Sequence, residues 1–345
     1  MIYLVIAVFI GCSLASFDYK RKLKYPFVML LLLLFLIFVR PFDWGADALT
    51  YVDMYEHIVS GNKLDQEFSF IIISKIVYFL GNSVKLLFFI YGLCSLSFKL
   101  NMIKKYAYYP YITLLFYFST WFVLHDMYQI RVGTSIAFFY FSVYFLQKKK
   151  YLSYLLCACV ATAFHTQAAL LLCLILIPKK EIDIYSVVWL SFIVLFSYIL
   201  YFLKIDIFKN SIVFLVKLKI PRVHQVMHYY DIATSGVIDL GKINAFSPIV
   251  LVRLMLSLLL LFQYKRLNSV DLYPLLIRIL VLSFALRMIL YPIPVLGMRI
   301  YEFFTCVDIF LFPLFLLIIR EKKIVFGIIN IYCIFMLYIA LRGIV

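Results

Sequence analysis

No hydrophilic stretch in this 345-residue chain is long enough to hold a soluble domain, and charge is scarce, with Asp, Glu, Lys and Arg making up 14%. Hydrophobic residues make up 66%, and mean hydropathy is +1.03. A water-soluble globule is excluded, because so little polar surface cannot cover it. There is also no internal repeat, no low-complexity linker and no heptad pattern, so the reading is one integral-membrane domain over 1–345. Acidic residues are few, 17 against 33 Lys and Arg, for a net charge of +16. Nucleic acid is not the expected partner, because the basic residues fall in short clusters between apolar runs. Membrane lipids and an anionic substrate are. No cofactor is expected. Metal-ligand spacing is missing too: Cys157 with Cys159 is too sparse for zinc, and His224 and His228, spaced i, i+4, lack a nearby Glu. The seven cysteines fall inside apolar runs and read as buried thiols.

What is present is a series of apolar runs, near 2–17, 25–39, 84–101, 108–124, 128–146, 185–203, 246–263, 272–291, 300–319 and 324–341. With short or re-entrant segments near 68–80 and 151–178, they predict an all-α polytopic membrane protein of roughly 11–13 transmembrane helices. The first run has no basic residue before it and Lys20, Arg21, Lys22 and Lys24 after it, the order of an uncleaved span.

Basic clusters at 20–24, 99–105, 148–150, 179–180, 265–266 and 320–323 belong on the cytoplasmic side. With the N-terminus outside, the acidic loop 40–66 is external, and 68–80 must not cross. Lys148–Lys150 and Lys179–Lys180 share one side only if the chain goes out and returns between them. A single helix over 151–177 would be about 40 Å long and would invert every later cluster. The expected form is a hairpin of two short segments, about 151–164 and 166–178, with His165 at its outward tip. The loop 204–245 is then external, and its Lys217, Lys219, Arg222, His224 and His228 suit a sugar chain and its phosphate as well as an ordinary solvated loop.

Ionisable groups placed at membrane depth are costly and are functional candidates. Arg40 ends the second span; His125, Asp126 and Arg131 straddle a turn; Arg253 lies inside its span; Arg287 and Arg299 bracket an external turn. Arginine keeps its charge when buried and grips phosphate with a planar fork, so several facing one external cavity would suit a diphosphate. Arg278, near a cytoplasmic span end, reads instead as a side chain reaching to head groups.

Four stretches, in order, resemble the bacterial polysaccharide polymerases of the Wzy type, in their EpsG-like branch. They are "RPFDWGADALTYVDMY" (40–55), "YQIRVGTSIAFFYFSVYFLQKKKYLSYLL" (128–156), "AFHTQAALLL" (163–172) and "MRIYEFFTCVDIFLFP" (298–313). Val132 stands where that family has Gln, and Gln167 where it has Ser, so neither is carried over. The resemblance implies a glycosyltransferase of the bacterial inner membrane that joins undecaprenyl-diphosphate-linked oligosaccharide units into O-antigen, capsule or exopolysaccharide on the outer face. A chain-length regulator and a flippase are the partners it implies. On this reading Asp47, Arg131, His165 and Arg299 are the candidate catalytic residues, with Asp47 or His165 as base. Arg40, Tyr51, Arg222, Arg253, Arg287 and Tyr301 would bind the substrate. Two other classes compete. A flippase for the same lipid-linked unit usually shows two related halves, which are missing here. A membrane glycosyltransferase that adds a single sugar from a lipid-phosphate donor would use acids in the first external loop, where Asp47, Asp53 and Glu56 lie.

Overall fold

In lipid no water bonds the backbone, so long apolar runs satisfy their own N–H and C=O groups by coiling. The computed structural model describes residues 1–18, 22–24, 26–41, 46–62, 66–207, 209, 223–235 and 242–342, and every regular element among them is a helix. Four are long and apolar enough to cross a bilayer alone: Val84–Tyr106, Ile184–Phe202, Pro294–Ile318 and Lys322–Arg342. Shorter apolar helices accompany them, among them Ile2–Ser16, Pro26–Val39 and Pro248–Phe262. On Ile184–Phe202 the side chains of Val188, Trp189, Phe192, Leu195, Phe196 and Ile199 stay exposed. Such a surface needs hydrocarbon against it, and the chain is an all-α polytopic membrane protein.

Contacts divide the chain into two compact units, residues 1–179 with 270–272 and 309–345, and residues 180–269 with 273–308. The first unit begins with α1 (Ile2–Ser16), α2 (Pro26–Val39), α3 (Ala46–Val59), α4 (Phe68–Phe79) and α5 (Val84–Tyr106). Next come α6 (Pro110–Phe116), a π-helix (Tyr117–Tyr128), α7 (Ile130–Gln147), α8 (Tyr151–Phe164) and a 3₁₀ segment (Thr166–Leu176). Helix α5 packs on α2 and α7, and α7 on α8.

The stretch 40–66, expected as a loop, is helical over most of its described length. Ala48, Tyr51, Tyr55 and Ile58 are buried along one face of α3, while Asp47, Asp53 and Glu56 are exposed on the other. The acidic residues hid an ordinary amphipathic period. Helix α4 has 12 residues, about 18 Å, too short to cross by itself. The hairpin at 151–178 forms as expected. The Tyr154 hydroxyl donates to the Leu171 carbonyl, although a straight helix would hold these residues about 25 Å apart. The chain reverses at His165, whose backbone is extended at φ −151° and ψ 116°. At the other end of the hairpin, Gln147 donates to the Lys179 carbonyl at 3.4 Å, so the two basic turns lie side by side.

Lys99 departs from its expected place in a cytoplasmic cluster, and Asp126 from an external turn. Both are sealed inside the first unit, with side-chain exposures of 1% and 0%. The Lys99 ammonium donates to both Asp126 oxygens, at 2.9 and 2.8 Å. The Tyr117 hydroxyl donates to the same carboxylate at 2.6 Å, and the Ser95 hydroxyl also bonds it. Ser95 in addition lies 3.0 Å from the Gly133 carbonyl. A methyl group at Gly133 would meet the His125 carbonyl oxygen at 2.6 Å and Asp126 Oδ1 at 2.8 Å, so only glycine lets α7 approach this closely. The seven cysteines are unpaired; Cys12, Cys306 and Cys333 are buried, whereas Cys159 and Cys173 are exposed, which lipid tolerates without protein cover.

In the second unit Asp183 caps Ile184–Phe202 by accepting from the Ser186 N–H at 2.8 Å. Asn268 clamps the Ile182 backbone in both directions, at 3.0 and 2.8 Å. Arg278 is buried, not turned out to head groups. Its guanidinium donates to the carbonyls of Lys180 and Glu181, which precede Ile184–Phe202, to the Pro274 carbonyl one turn back on its own helix, and to Ser186 Oγ. The stretch 204–245, expected as a loop, contains the helix Val223–Ser235, held by a 2.7 Å bond from the Tyr230 hydroxyl to Asp206. The expected span 300–319 is interrupted after Thr305 and resumes at Asp308.

Removing one partner of a sealed pair leaves a buried charge, at a cost of about 3–5 kcal/mol, whereas removing both charges is close to neutral. Lys99→Met and Asp126→Asn should each lower the thermal unfolding temperature of the detergent-purified protein. The double variant should recover most of the loss. A double variant no more stable than either single one would show that the two groups are not coupled.

Candidate functional site

Four positions singled out by the sequence, Arg40, Tyr51, Arg131 and His165, fall within the first unit, and a fifth residue links two of them. That residue is Glu67, which precedes α4. Arg131, at the start of α7, donates from one terminal nitrogen to Gln66 Oε1 at 2.7 Å and to Glu67 Oε2. The other Glu67 oxygen lies 3.6 Å from His165 Nδ1 and accepts from the Thr166 hydroxyl at 3.5 Å. Side-chain exposures of 16% for Arg131, 11% for Glu67 and 13% for His165 leave this cluster within reach of a ligand, unlike the sealed Lys99 pair.

Aromatic rings line the cluster. The Arg131 guanidinium is 5.1 Å from the centre of the Tyr51 ring and 5.5 Å from that of Phe70, a cation–π arrangement. Tyr91 packs edge-on to Phe164, the residue before His165, at 5.7 Å. Its hydroxyl is buried without a hydrogen bond, and so is Arg131 Nε. Burial pushes the Glu67 carboxyl up, but His165 and the Arg131 guanidinium outweigh it and hold its pKa at about 2. Glu67 is therefore a carboxylate at neutral pH.

Arg40 lies in the same unit, where α2 ends. It is 3% exposed, its guanidinium lies 3.9 Å from the centre of the Phe88 ring, and among the described residues none of its three side-chain nitrogens makes a hydrogen bond. Tyr128 and Tyr51 are within electrostatic reach. A buried cation with five unused donor hydrogens is an incomplete anion site.

The remaining positions are placed differently. Asp47 is exposed in the first turn of α3, one turn before Tyr51, and makes no ion pair with Arg131 or His165. In the second unit Arg253 is paired with Asp308 at 2.9 Å, both nearly buried. Arg287 donates from both terminal nitrogens to the Asn244 carbonyl at 3.2 Å, and its guanidinium lies 5.6 Å from the centre of the Tyr301 ring. Tyr301 is buried against Phe284, while Arg299 is exposed on Pro294–Thr305. Arg222, Lys217, Lys219 and the His224 side chain lie outside the described residues. Among the described residues no three His, Cys, Asp or Glu side chains gather in a metal-binding group.

Sequence reasoning missed Glu67, Gln66, Thr166, Asp308 and the role of Lys99. Lys99 was grouped with Lys104 and Lys105, yet apolar Leu100, Met102 and Ile103 intervene, and a lysine within an apolar run calls for a partner. Glu67 carried a similar sign, an acid directly before a run too short to cross. Its partners, 64 and 98 residues further along the chain, had no local signature.

The profile of the EpsG family matches residues 24–343, nearly the whole chain. No curated protein and no solved structure matches it. The matched region contains every helix of the first unit after α1, together with Arg40, Glu67, Arg131 and His165. The chain belongs to the EpsG family.

Proposed function

We propose that the protein is a polysaccharide polymerase that joins oligosaccharide units carried on undecaprenyl diphosphate, at the outer face of a bacterial cytoplasmic membrane. Family membership supports a polymerase-like role in polysaccharide biosynthesis. The observation that carries the finer reading is one unit holding an unbonded buried guanidinium, Arg40, and a reachable Arg131–Glu67–His165 cluster.

The reaction needs two things of the protein. A hydroxyl of the newly arrived unit attacks the anomeric carbon of the growing chain, its proton leaves to a base, and the carbon–oxygen bond to the lipid diphosphate breaks with its electron pair on the diphosphate. Charge on the departing diphosphate must be met by fixed cations, and Arg131 and Arg40 supply planar donor forks for it. The hydroxyl proton passes to the His165 imidazole, whose charge the Glu67 carboxylate then balances. Tyr51, against the Arg131 guanidinium, is assigned to the sugar next to the reacting centre, with Phe70 packed on it and Tyr91 on Phe70. Asp47, exposed one turn from Tyr51, is assigned to orienting the acceptor sugar. Arg299 is the candidate of the second unit, because its charge is not tied to a partner that would have to let go.

Purified protein given lipid-diphosphate-linked repeat units should produce a ladder of products. A single added sugar would instead indicate a transferase of one residue. Arg131→Ala and Arg299→Ala should each abolish chain extension while the protein still accumulates in the membrane, and normal polymer from either variant removes that arginine from the mechanism. His165→Gln keeps hydrogen-bonding capacity and loses the titratable ring. It should slow extension by at least about 100-fold, the usual contribution of a positioned base, and full activity would leave His165 only a structural part.

A further inference from the structure

Two acid–base clusters in the first unit differ in a way that the proposed reaction does not by itself require. In the Lys99–Asp126 cluster the carboxylate is saturated, with bonds from Lys99, Tyr117 and Ser95, and is sealed from outside. In the second cluster the carboxylate is divided. Glu67 Oε2 is bonded to Arg131, while Oε1 is 3.6 Å from His165 Nδ1 and touches Thr166 only at 3.5 Å. His165 Nδ1 is buried without a hydrogen bond, and so is Arg131 Nε. An Arg131 N–H and the His165 Nδ1 position are therefore unfilled on the two sides of Glu67, at groups that remain reachable.

A carboxylate bonded to an arginine occupies the place that a phosphate oxygen would take, since both are anionic oxygen acceptors for the planar guanidinium fork. We propose that Glu67 is an internal stand-in for the anionic group of the substrate, which holds Arg131 in the empty protein and gives it up when a diphosphate binds. Once displaced, the Glu67 carboxylate closes the remaining gap to His165 and Thr166. Binding of the anion and tightening of the Glu67–His165 pair are thus one event, so the ring gains its full counter-charge when a leaving group is present. Glu67 acts here as a positioning residue. The inference rests on the reading of Arg131 as the residue that holds diphosphate.

Exchange has a cost that sets the sign of the test. The incoming anion must break the Arg131–Glu67 bond, so removing the charge of Glu67 should strengthen anion binding, whereas a general weakening of the site would do the opposite. Inorganic pyrophosphate is the probe, titrated calorimetrically into the full-length protein in detergent. Glu67→Gln should bind it about tenfold more tightly than the unsubstituted protein, one ordinary charge-pair competition, and Arg131→Ala should lose the binding. Equal or weaker binding by Glu67→Gln overturns the exchange, as does absence of pyrophosphate binding in both proteins. If Glu67→Gln does not fold, the unsubstituted protein still decides. Pyrophosphate should shift the His165 ring nitrogen resonances, identified by their loss in His165→Gln, and resonances that stay in place at saturation overturn the proposal. Failure of the polymerase reading is seen separately, as the absence of any product ladder from a protein that still shows the exchange.

Discussion

The ion pair between Lys99 and Asp126 is the constraint on which the first unit is built. Two opposite charges removed from solvent are tolerable only when their remaining hydrogen-bonding capacity is met, and here Tyr117 and Ser95 complete the carboxylate. Its effect is geometric. Asp126 lies near the end of a twelve-residue π-helix, a wide coil that is rarely longer than one turn. By binding Lys99 and Ser95 of α5, it fixes where that coil stops and α7 begins. Gly133 lets the two segments touch at the distance of bare backbone. The turn held in this way carries Tyr128, within electrostatic reach of Arg40, and Arg131, which meets Glu67. A change at a sealed pair would thus be felt at the reachable one through a few residues of tightly held backbone.

The same chemistry is used in two ways along the chain, and burial tells them apart. Arg253 with Asp308, like Lys99 with Asp126, is closed off and balanced, which suits a role in shape. Arg278 and Arg287 are balanced by carbonyl oxygens, a cheaper arrangement that needs no second charge. Among the described residues Arg40 meets an aromatic face and no hydrogen-bond acceptor, and Arg131 shares its carboxylate with a histidine. Incomplete satisfaction at depth is expensive, so a protein retains it where a ligand completes it. Incomplete satisfaction sets Arg40 and Arg131 apart from Arg253 and Arg287.

Much of the architecture was legible in the sequence because lipid imposes length and polarity rules directly on apolar runs. The hairpin around His165 followed from the need to keep two basic turns on one side, and Gln147 beside Lys179 shows those turns together. Helix α3 was missed because its exposed acids were read as loop, although Ala48, Tyr51, Tyr55 and Ile58 kept a helical period. Arg40, Arg131 and His165 were legible as polar groups in costly places. Glu67 was not, since its meaning comes from partners on α7 and at the hairpin tip that only the fold brings to it. Asp126 and Lys99 were legible individually and misread together, because each lies near a span end where charge usually meets water.

The hairpin tip itself bears on what His165 does. A histidine at a helix break could merely satisfy the backbone groups that the break sets free. Here the Ala161 carbonyl in the last turn of α8 accepts from the His165 N–H at 2.9 Å and from the Ser135 hydroxyl at 2.8 Å, and the imidazole turns to side chains instead. Its Nε2 is 3.2 Å from Gln167 Oε1 and its Nδ1 faces the Glu67 carboxylate. Both are oxygen acceptors with the Gln167 amide oriented this way, so a doubly protonated ring finds an acceptor at each nitrogen. A neutral ring has only one N–H to offer and leaves one of them unmet. Gln167, where the resembled family has the shorter serine, is long enough to bring its amide oxygen to the imidazole.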